Sequence, residues 1–473
     1  MLSKFQQKIY SFFPDKPTKD QIDLVERMER FLFLNHERAA FIIRGYAGTG
    51  KTTSVAAMVK TFPSFQLKSV LLAPTGRAAK VMAKFSGKPA FTIHKKIYQS
   101  KRGTDGQTKF SLAANLHSNT IFIVDEASMI SDGGGLNATH NYQSRSLLDD
   151  LIEYVYSGQN CRLIFIGDIA QLPPVGRDIS PALDSKYLQR EYHLSLKGVE
   201  LKQVLRQAED SGILYNATLL REQTQVKEPT ILFQKKEFDD IHFIDGYELE
   251  DELDSCIGKY GTDETIVITR SNKRANEFNQ QIRVRIKDLD EEVATGDYIM
   301  IVKNNYFWLD ENSPIGFIAN GDIAEIMRMG NIENLYGFRF LNATIRLVDY
   351  PKLEPVEAKL LLDSIMSEAP ALSPEENQRL FETVLEDYAD EPNRRKKYEA
   401  LKNNPYFNAL QIKFAYAVTC HKSQGGQWKA VFVDQGYLTD EMVNVEYARW
   451  LYTAITRATE QLYLVNFNPK FLS

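Results

Sequence analysis

The eight residues Gly45–Thr52, reading GYAGTGKT, constrain this chain more than any other part of it. They follow the apolar run Phe41–Ile43 and open a segment of helical character, Thr53–Lys60. A GxxxxGK[ST] loop between a strand and a helix turns successive backbone N–H groups toward a β-phosphate. Its lysine reaches the β/γ oxygens and its hydroxyl ligates Mg²⁺. Gly45, Gly48, Thr49, Gly50, Lys51, Thr52 and Thr53 are therefore candidate ligands of ATP, and Thr52 is a candidate Mg²⁺ ligand as well.

At 473 residues the chain exceeds one ordinary core, so two or three domains are expected. Apolar and charged contents of 43% and 25% are those of a globular protein. The N-terminal stretch lacks an apolar core with a small-residue cleavage site, and no run elsewhere is long enough to span a membrane. A cytoplasmic location without membrane partners is expected. Cys161, Cys256 and Cys420 are scattered and fit a reducing compartment.

Net charge is −5, yet from Arg77 to Arg102 there are eight Lys or Arg and no acid. A local positive field on an acidic chain suggests a confined phosphate track, with a basic solvated face as the competing reading.

Apolar β-rich runs recur at Phe41–Ile43, Val70–Ala73, Ile121–Val124, Leu163–Ile166, Thr265–Thr269, Val431–Val433 and Leu462–Val465, with helical patterns between them. Continuous apolar strands alternating with helices indicate parallel sheets covered on both faces, hence an α/β fold. Four runs precede the LKQVLRQ segment at Leu201 and three follow it, which divides the chain into two α/β domains. Between Thr269 and Val431, the stretch Gly296–Tyr350 has short β-like runs and Gly/Asn turns, as in a small barrel. Glu357–Leu401 is charged and helical in period, and it reads as a helical arm. Within Lys84–His117, the segment IYQSKRGTDGQTKFSL has the turn chemistry of a hairpin.

The run Ile121–Val124 ends in Asp125 and Glu126. A strand-end Asp beside a P-loop can hold the Mg²⁺ shell, and the adjacent Glu can take a proton from attacking water. Hydrolysis is then expected rather than binding alone. Gln171, in IFIGDIAQLPPVG, is placed to hydrogen-bond a γ-phosphate or the water, unless it is a buried structural glutamine. Phosphoryl transfer needs positive charge supplied across a cleft, and Arg206 and Arg457 are candidates. Taken singly, either reads as a surface ion pair.

The motif series GYAGTGKTT, LLAPTGRAAK, TIHK, VDEAS, GDIAQLPPVG, QVLRQ, TRSNKRANEFNQQIR, AVTCHKSQGGQW and LYTAITRA resembles superfamily 1 DNA helicases of the RecD/Dda branch, in order and over nearly the whole chain. The resemblance implies two RecA-like P-loop domains. The first, residues 1–200, would carry a pin hairpin at about 86–118. The second, in parts 201–322 and 406–473, would carry an SH3-like barrel and helical arm inserted at 323–405. It implies ATP hydrolysis in the cleft between them, 5′ to 3′ movement on single-stranded DNA, and unwinding at single-strand/duplex junctions. Work in replication, repair or recombination goes with it. A monomer is expected because both halves of the cleft lie in one chain, and a single-strand-binding protein is a candidate partner.

Carried over residue by residue, the resemblance gives Gln21 to the adenine base and gives Lys51, Thr52, Asp125, Glu126, Gln171, Arg206 and Arg457 the roles reached above. Gly425, with Gln424, is assigned to the nucleotide or the coupling path. Pro74, Thr75, Thr92, His94, Lys95, Thr419, His421, Lys422 and Ser423 match positions lining a single-strand groove, where hydroxyls and lysines hold phosphates without reading sequence. Phe91, Tyr98 and Phe110 are candidate stacking platforms. An RNA or RNA/DNA helicase, a DNA-stimulated translocase and an ATP-driven switch share parts of this pattern. The second α/β half, with its own arginine and HKSQG segment, argues against a switch. A fused nuclease would need a further acidic cluster.

Overall fold

The computed structural model describes residues 2–33, 38–102, 108–133, 146–204, 211–234, 238–310, 313 and 315–472, with the backbone alone for 100–102 and 108–110. Among the described residues, the first half forms β1 (Ala39–Gly45), β2 (Lys68–Ala73), β3 (Ala90–Thr92), the pair β4 (Tyr98–Arg102) and β5 (Thr108–Leu112), β6 (Thr120–Val124), β7 (Arg162–Gly167) and β8 (Ser195–Leu201). The helices that follow or cover these strands are α1 (Lys4–Tyr10), α2 (Lys19–Phe33), α3 (Lys51–Thr61), α4 (Gly76–Ser86), α5 (Ile93–Ile97), α6 (Leu147–Ser157) and α7 (Ser185–Tyr192). Six strands make one parallel sheet in the order β3-β2-β6-β7-β1-β8, and β4 and β5 make an antiparallel hairpin outside it.

The second half contributes α8 (Gly212–Gln223), β9 (Ile241–Ile244), α9 (Leu249–Tyr260), β10 (Thr265–Thr269) and α10 (Asn272–Gln281). Then come β11 (Tyr298–Ile301), β12 (Ile323–Leu335), β13 (Phe338–Leu347), β14 (Val356–Leu361), α11 (Pro374–Glu386), α12 (Arg394–Lys402) and β15 (Leu410–Phe414). The chain ends in β16 (Ala417–Thr419), α13 (Cys420–Ser423), β17 (Trp428–Asp434), α14 (Val445–Ile455) and β18 (Ala458–Val465). A second parallel sheet runs β16-β10-β17-β18-β9, and β11 to β15 close into a barrel.

The physical causes are local. The central strands β1, β6, β7 and β10 are buried along nearly their whole length, as parallel strands covered by helices on both faces must be. Helices start at residues that can accept the free N–H groups of the first turn: Thr75 for α4, and Ser373 with Glu376 as a capping box for α11. The seven apolar runs read from the sequence all lie in the two parallel sheets. Among the described residues no helix is long and apolar enough to cross a membrane.

The barrel draws β11 and β15 from outside the expected 323–405 insertion. One expectation fails here: Glu357–Leu361, read as the start of a helical arm, lies in β14 and pairs with β13. Pairing and burial of nearly the whole strand in a closed barrel outweigh the helical preference of its Glu, Ala, Lys and Leu residues. The helices α11 and α12 pack onto the barrel end through Leu380, Val384 and Leu401 against Phe338 and Phe340.

A buried ion pair joins α10 to the barrel. Arg283, just past α10, donates to both oxygens of Asp297 at 2.8 and 3.0 Å and lies over the Phe414 ring at 4.4 Å. Asp297 also accepts from Ala294 N at 2.7 Å and from the Tyr416 hydroxyl at 2.9 Å. Removing the guanidinium would strand a buried carboxylate. Arg283→Ala is therefore expected to cost about 3–5 kcal/mol, read as a lowered urea midpoint; an unchanged midpoint would show that the pair contributes nothing.

Candidate nucleotide and strand sites

Lys51 opens α3, where the main chain has turned through two left-handed glycines, Gly48 at φ 73° and Gly50 at φ 80°. These conformations are cheap for glycine alone, and they let the loop turn its amides inward. Lys51 Nζ donates to the carbonyls of Gly45 and Tyr46 at 2.8 Å each and lies 3.8 Å from Asp168 Oδ2. The Thr49 hydroxyl is buried on Tyr46 O at 2.8 Å, and Thr52 and Thr53 are half-buried in the first turn of α3.

Asp125 and Glu126 follow β6. Burial and the neighbouring Glu126 carboxylate push Asp125 up to about 6, although Glu126 N and Lys51 oppose the shift. Glu126 itself sits in the left-handed region at φ 52°, an unusual conformation for a non-glycine residue and one that tends to mark functional turns. Gln171 Oε1 and Gln21 Nε2 are both buried with no hydrogen-bond partner among the described residues. Gln21 Oε1 accepts from Thr18 N at 2.9 Å, which fixes the amide orientation. Gln21 is thus buried, whereas an ordinary glutamine on a helix surface would be exposed. An unpaired buried amide group costs about 1–3 kcal/mol, so both groups are candidates to bond a ligand.

The second domain reaches this site through α14 and α8. The Tyr452 hydroxyl accepts from Ala47 N at 2.8 Å and donates to Asp168 Oδ2 at 2.6 Å. Thr453 Oγ1 accepts from Leu172 N at 2.8 Å, and Gln424 Nε2 donates to Leu172 O at 2.7 Å. On the other side, Leu214 and Val204 stand over Gly48, and Arg221 lies 4.5 Å from the Tyr46 ring. Asp168, Tyr452 and Thr453 were not among the sequence candidates. Asp168 had a usable signal, an acid at the end of an apolar strand like Asp125; Tyr452 and Thr453 had only their place in LYTAITRA.

Arg457 is buried, with its guanidinium on Thr453 O at 3.0 Å, Gly426 O at 3.2 Å and Thr456 Oγ1 at 3.3 Å, all in its own domain. Arg206 lies outside the described residues. Gly425, expected at the nucleotide or on the coupling path, lies against α4: a Cβ there would meet Thr75 Oγ1 at 2.8 Å and Ala78 Cβ at 3.1 Å. Its φ of 73° turns the chain into that close approach.

The strand candidates collect at matching edges of the two sheets. Pro74 and Thr75 follow β2, Thr92, His94 and Lys95 follow or end β3, and Thr419, His421 and Lys422 follow or end β16. Contact of Gly425 with Thr75 brings the two groups together. Thr92 caps α5 by accepting from Lys95 N at 3.2 Å, while Lys95 Nζ stands 5.4 Å from the Phe91 ring. Burial holds His94 down to about 4. His421 is exposed, and burial lowers Lys422 to about 8, with its Nζ 3.5 Å from Pro370 O. Ser423 is a correction: it is fully buried and donates to Cys420 O at 2.8 Å, because one turn of α13 folds it back on its own start. The Tyr98 hydroxyl is bound to Asp150 at 2.6 Å, and the Phe110 side chain lies outside the described residues.

The basic run is also less free than its charge suggests. Arg77 donates to Gln427 O at 2.9 Å and stacks on Trp428 at 4.2 Å; Lys80 pairs with Asp349 at 3.2 Å; Lys88 donates to Ser69 Oγ at 2.9 Å.

Two family models match the chain: AAA domain over residues 18–245, and UvrD-like helicase C-terminal domain over residues 414–465. The first covers the P-loop sheet, and the second covers β16 to β18. Together with the relatives below, these matches support a superfamily 1 helicase. The same matches support an ATP-dependent enzyme, and the chain is called a helicase on that basis. It is 24% identical to an uncharacterized protein of Acanthamoeba polyphaga mimivirus over 94% of this chain and 98% of the relative. It is 26% identical to the ATP-dependent DNA helicase dda of Enterobacteria phage T4 over 55% of each chain. Against the ATP-dependent RecD2 DNA helicase of Deinococcus radiodurans it is 29% identical over 37% of this chain and 21% of the relative. The helicase thus spans about half of dda and a fifth of RecD2. Among solved structures, Pif1 helicase from Bacteroides in complex with ADP-AlF3 and ssDNA aligns with a TM-score of 0.48 and 14% identity, over 97% of this chain and 95% of that one.

The helicase also joins α4 to its barrel. A Cβ at Gly76 would meet the Tyr350 hydroxyl at 2.5 Å and Asp322 Oδ1 at 2.6 Å. Burial and Asp349 push Asp322 up to about 7, with Ala319 N opposing. Its ordinary unfolded value is 3.8, so the folded state binds the extra proton between those values and stability falls as pH rises from about 4 to about 7. Asp322→Asn should flatten that slope, measured as melting temperature across this window with Lys80, Asp349 and Tyr350 intact. An unchanged slope would assign the pH dependence elsewhere.

Proposed function

We propose that this helicase hydrolyses ATP between its two parallel-sheet domains and uses the cycle to move 5′ to 3′ along single-stranded DNA and separate duplex. The observation that carries the reading is the joint between the domains: the P-loop and Asp168 of the first are hydrogen-bonded to α14 of the second, the helix that leads to Arg457. A nucleotide there would touch both domains, which is what converts hydrolysis into relative motion. The names of the relatives dda and RecD2 support DNA as the polymer and ATP as the fuel. The 5′ to 3′ direction rests on the motif resemblance.

In this reading Lys51 and the P-loop amides hold the phosphates, and Gln21 donates its unpaired Nε2 to the base. Glu126 accepts the proton of the attacking water, and Gln171 orients that water. Arg206 and Arg457 stabilise the charge developing on the γ-phosphoryl group once the domains close. For Arg457 this means exchanging its bonds to Thr453, Gly426 and Thr456 for a bond to phosphate. The donor set suits Mg²⁺: Asp125 stands beside Glu126 with a raised pKa that a divalent cation would relieve, and Thr52 offers a hydroxyl. When bound, the ion would neutralise phosphate charge.

Pro74, Thr75, Thr92, Lys95, Thr419, His421 and Lys422 would line the strand groove, and the hairpin of β4 and β5 would act as the wedge, opposing about 1.4 kcal/mol of stacking per base-pair step. Both halves of the cleft in one chain favour a monomer.

Unwinding of a short duplex with a 5′ or a 3′ single-stranded tail tests the reading. Strand separation from the 5′ tail alone is expected, and Lys51→Ala should lower turnover by about 100-fold or more while retaining DNA binding. Separation from the 3′ tail alone would reverse the polarity, and DNA-stimulated hydrolysis with no separation on either tail would leave a translocase or switch.

A further inference from the structure

One N–H group of the phosphate loop is already engaged. Ala47 N donates to the Tyr452 hydroxyl at 2.8 Å, and that hydroxyl donates to Asp168 Oδ2 at 2.6 Å. Burial and the Asp168 carboxylate hold the phenol well above its ordinary pKa, so it remains a neutral O–H. The chain of bonds therefore has one direction, from amide to phenol to carboxylate. Lys51, meanwhile, spends its protons on the Gly45 and Tyr46 carbonyls and stands 3.8 Å from the same Asp168 oxygen. The next residue on α14, Thr453, accepts from Leu172 N through Oγ1 at 2.8 Å and holds Arg457 Nε on its carbonyl at 3.0 Å. The phosphate loop, the Gln171 loop and Arg457 are thus fastened to two adjacent residues of one helix.

Resting on the ATPase reading above, we propose that Tyr452 is a positioning residue that latches the P-loop to α14, and that an arriving nucleotide phosphate displaces it. The chemistry favours the phosphate. An anionic oxygen accepts a backbone N–H about twice as strongly as a neutral phenol does, and it draws Lys51 away from its carbonyls. Release of the phenol frees α14, and the helix carries Arg457 with it. The latch accordingly opposes nucleotide binding, since a loop held in a bound-incompetent state lowers apparent affinity by its population.

Tyr452→Phe keeps the ring and removes the hydroxyl. In the 473-residue chain, titration with fluorescent mant-ADP should show Kd falling by about three- to tenfold, the size of one neutral hydrogen bond. Single-strand-stimulated kcat should hold or rise in the same variant, because α14 is free without displacement of the phenol. A residue that merely supports the loop would weaken binding and turnover together, and either that result or an unchanged Kd would overturn the latch. A wild-type chain without DNA-stimulated turnover would sink the ATPase reading, while the ADP affinities would still decide the latch. If the variant folds poorly, amide exchange on the wild type answers the same question: the segment 445–457 should exchange faster with ADP bound, and equal or slower exchange would overturn the proposal.

Discussion

Asp168 is a carboxylate shut away from water at the seam between two domains, and the surrounding structure is arranged to satisfy it. One oxygen accepts from Ala170 N at 2.9 Å and the other from Tyr452 at 2.6 Å, with Lys51 at 3.8 Å. Burying a carboxylate costs several kcal/mol unless its oxygens are bonded, and taking away one partner leaves the rest of that cost exposed. The P-loop, the loop after β7 and α14 therefore cannot rearrange independently. A phosphate that recruits Lys51 changes the balance at Asp168, and the tie to α14 changes with it. Coupling here has a material form, a few discrete bonds with two possible arrangements.

The strand orders explain why the seam falls where it does. Lys51 and Asp168 follow strands of the first sheet, whereas Tyr452 and Arg457 precede β18 of the second. The carboxyl end of one sheet thus meets the amino end of the other. Ligands of parallel sheets bind beyond the carboxyl ends of strands, so the first sheet supplies the phosphate loop and the second closes over it. At the edges, β3 and β16 hold corresponding places beside β2 and β10, and the groups that follow them include those proposed to face the strand. Two sites on one sheet, separated by two strands, are a consequence of this topology.

Much of this was legible in the sequence, and the limits were physical. Central strands such as β1 and β7 announce themselves because both faces are buried and nearly every residue is apolar. The edge strands β8 and β9 are half-exposed and left no such run. Glu357–Leu361 alternates polar and apolar residues over too few positions to separate strand from helix. Charge counting placed Arg77, Lys80 and Lys88 in a phosphate track, yet composition cannot show that a carbonyl, a carboxylate or an indole ring waits for each of them. The Tyr452 hydroxyl was hidden for the opposite reason: it sits in an apolar helix, and its partner Asp168 lies 284 residues away.

The helix α4 shows how the strand side could respond to the nucleotide side. Its first turns meet Gly425 at Thr75, the barrel residues Tyr350 and Asp322 at Gly76, Trp428 at Arg77 and Asp349 at Lys80. A Cβ at position 76 would collide with two of these neighbours, so the closeness depends on glycine. The same helix packs against α3, which begins with Lys51. Close-packed helices move as units, since small gaps between them forfeit contact energy quickly. Displacing the phosphate end of α3 therefore presses on α4, and through α4 on the second sheet and the barrel. If the chain moves along a strand as proposed, its fuel site and its grip need to share a rigid part, and the pair α3 and α4 fits that need.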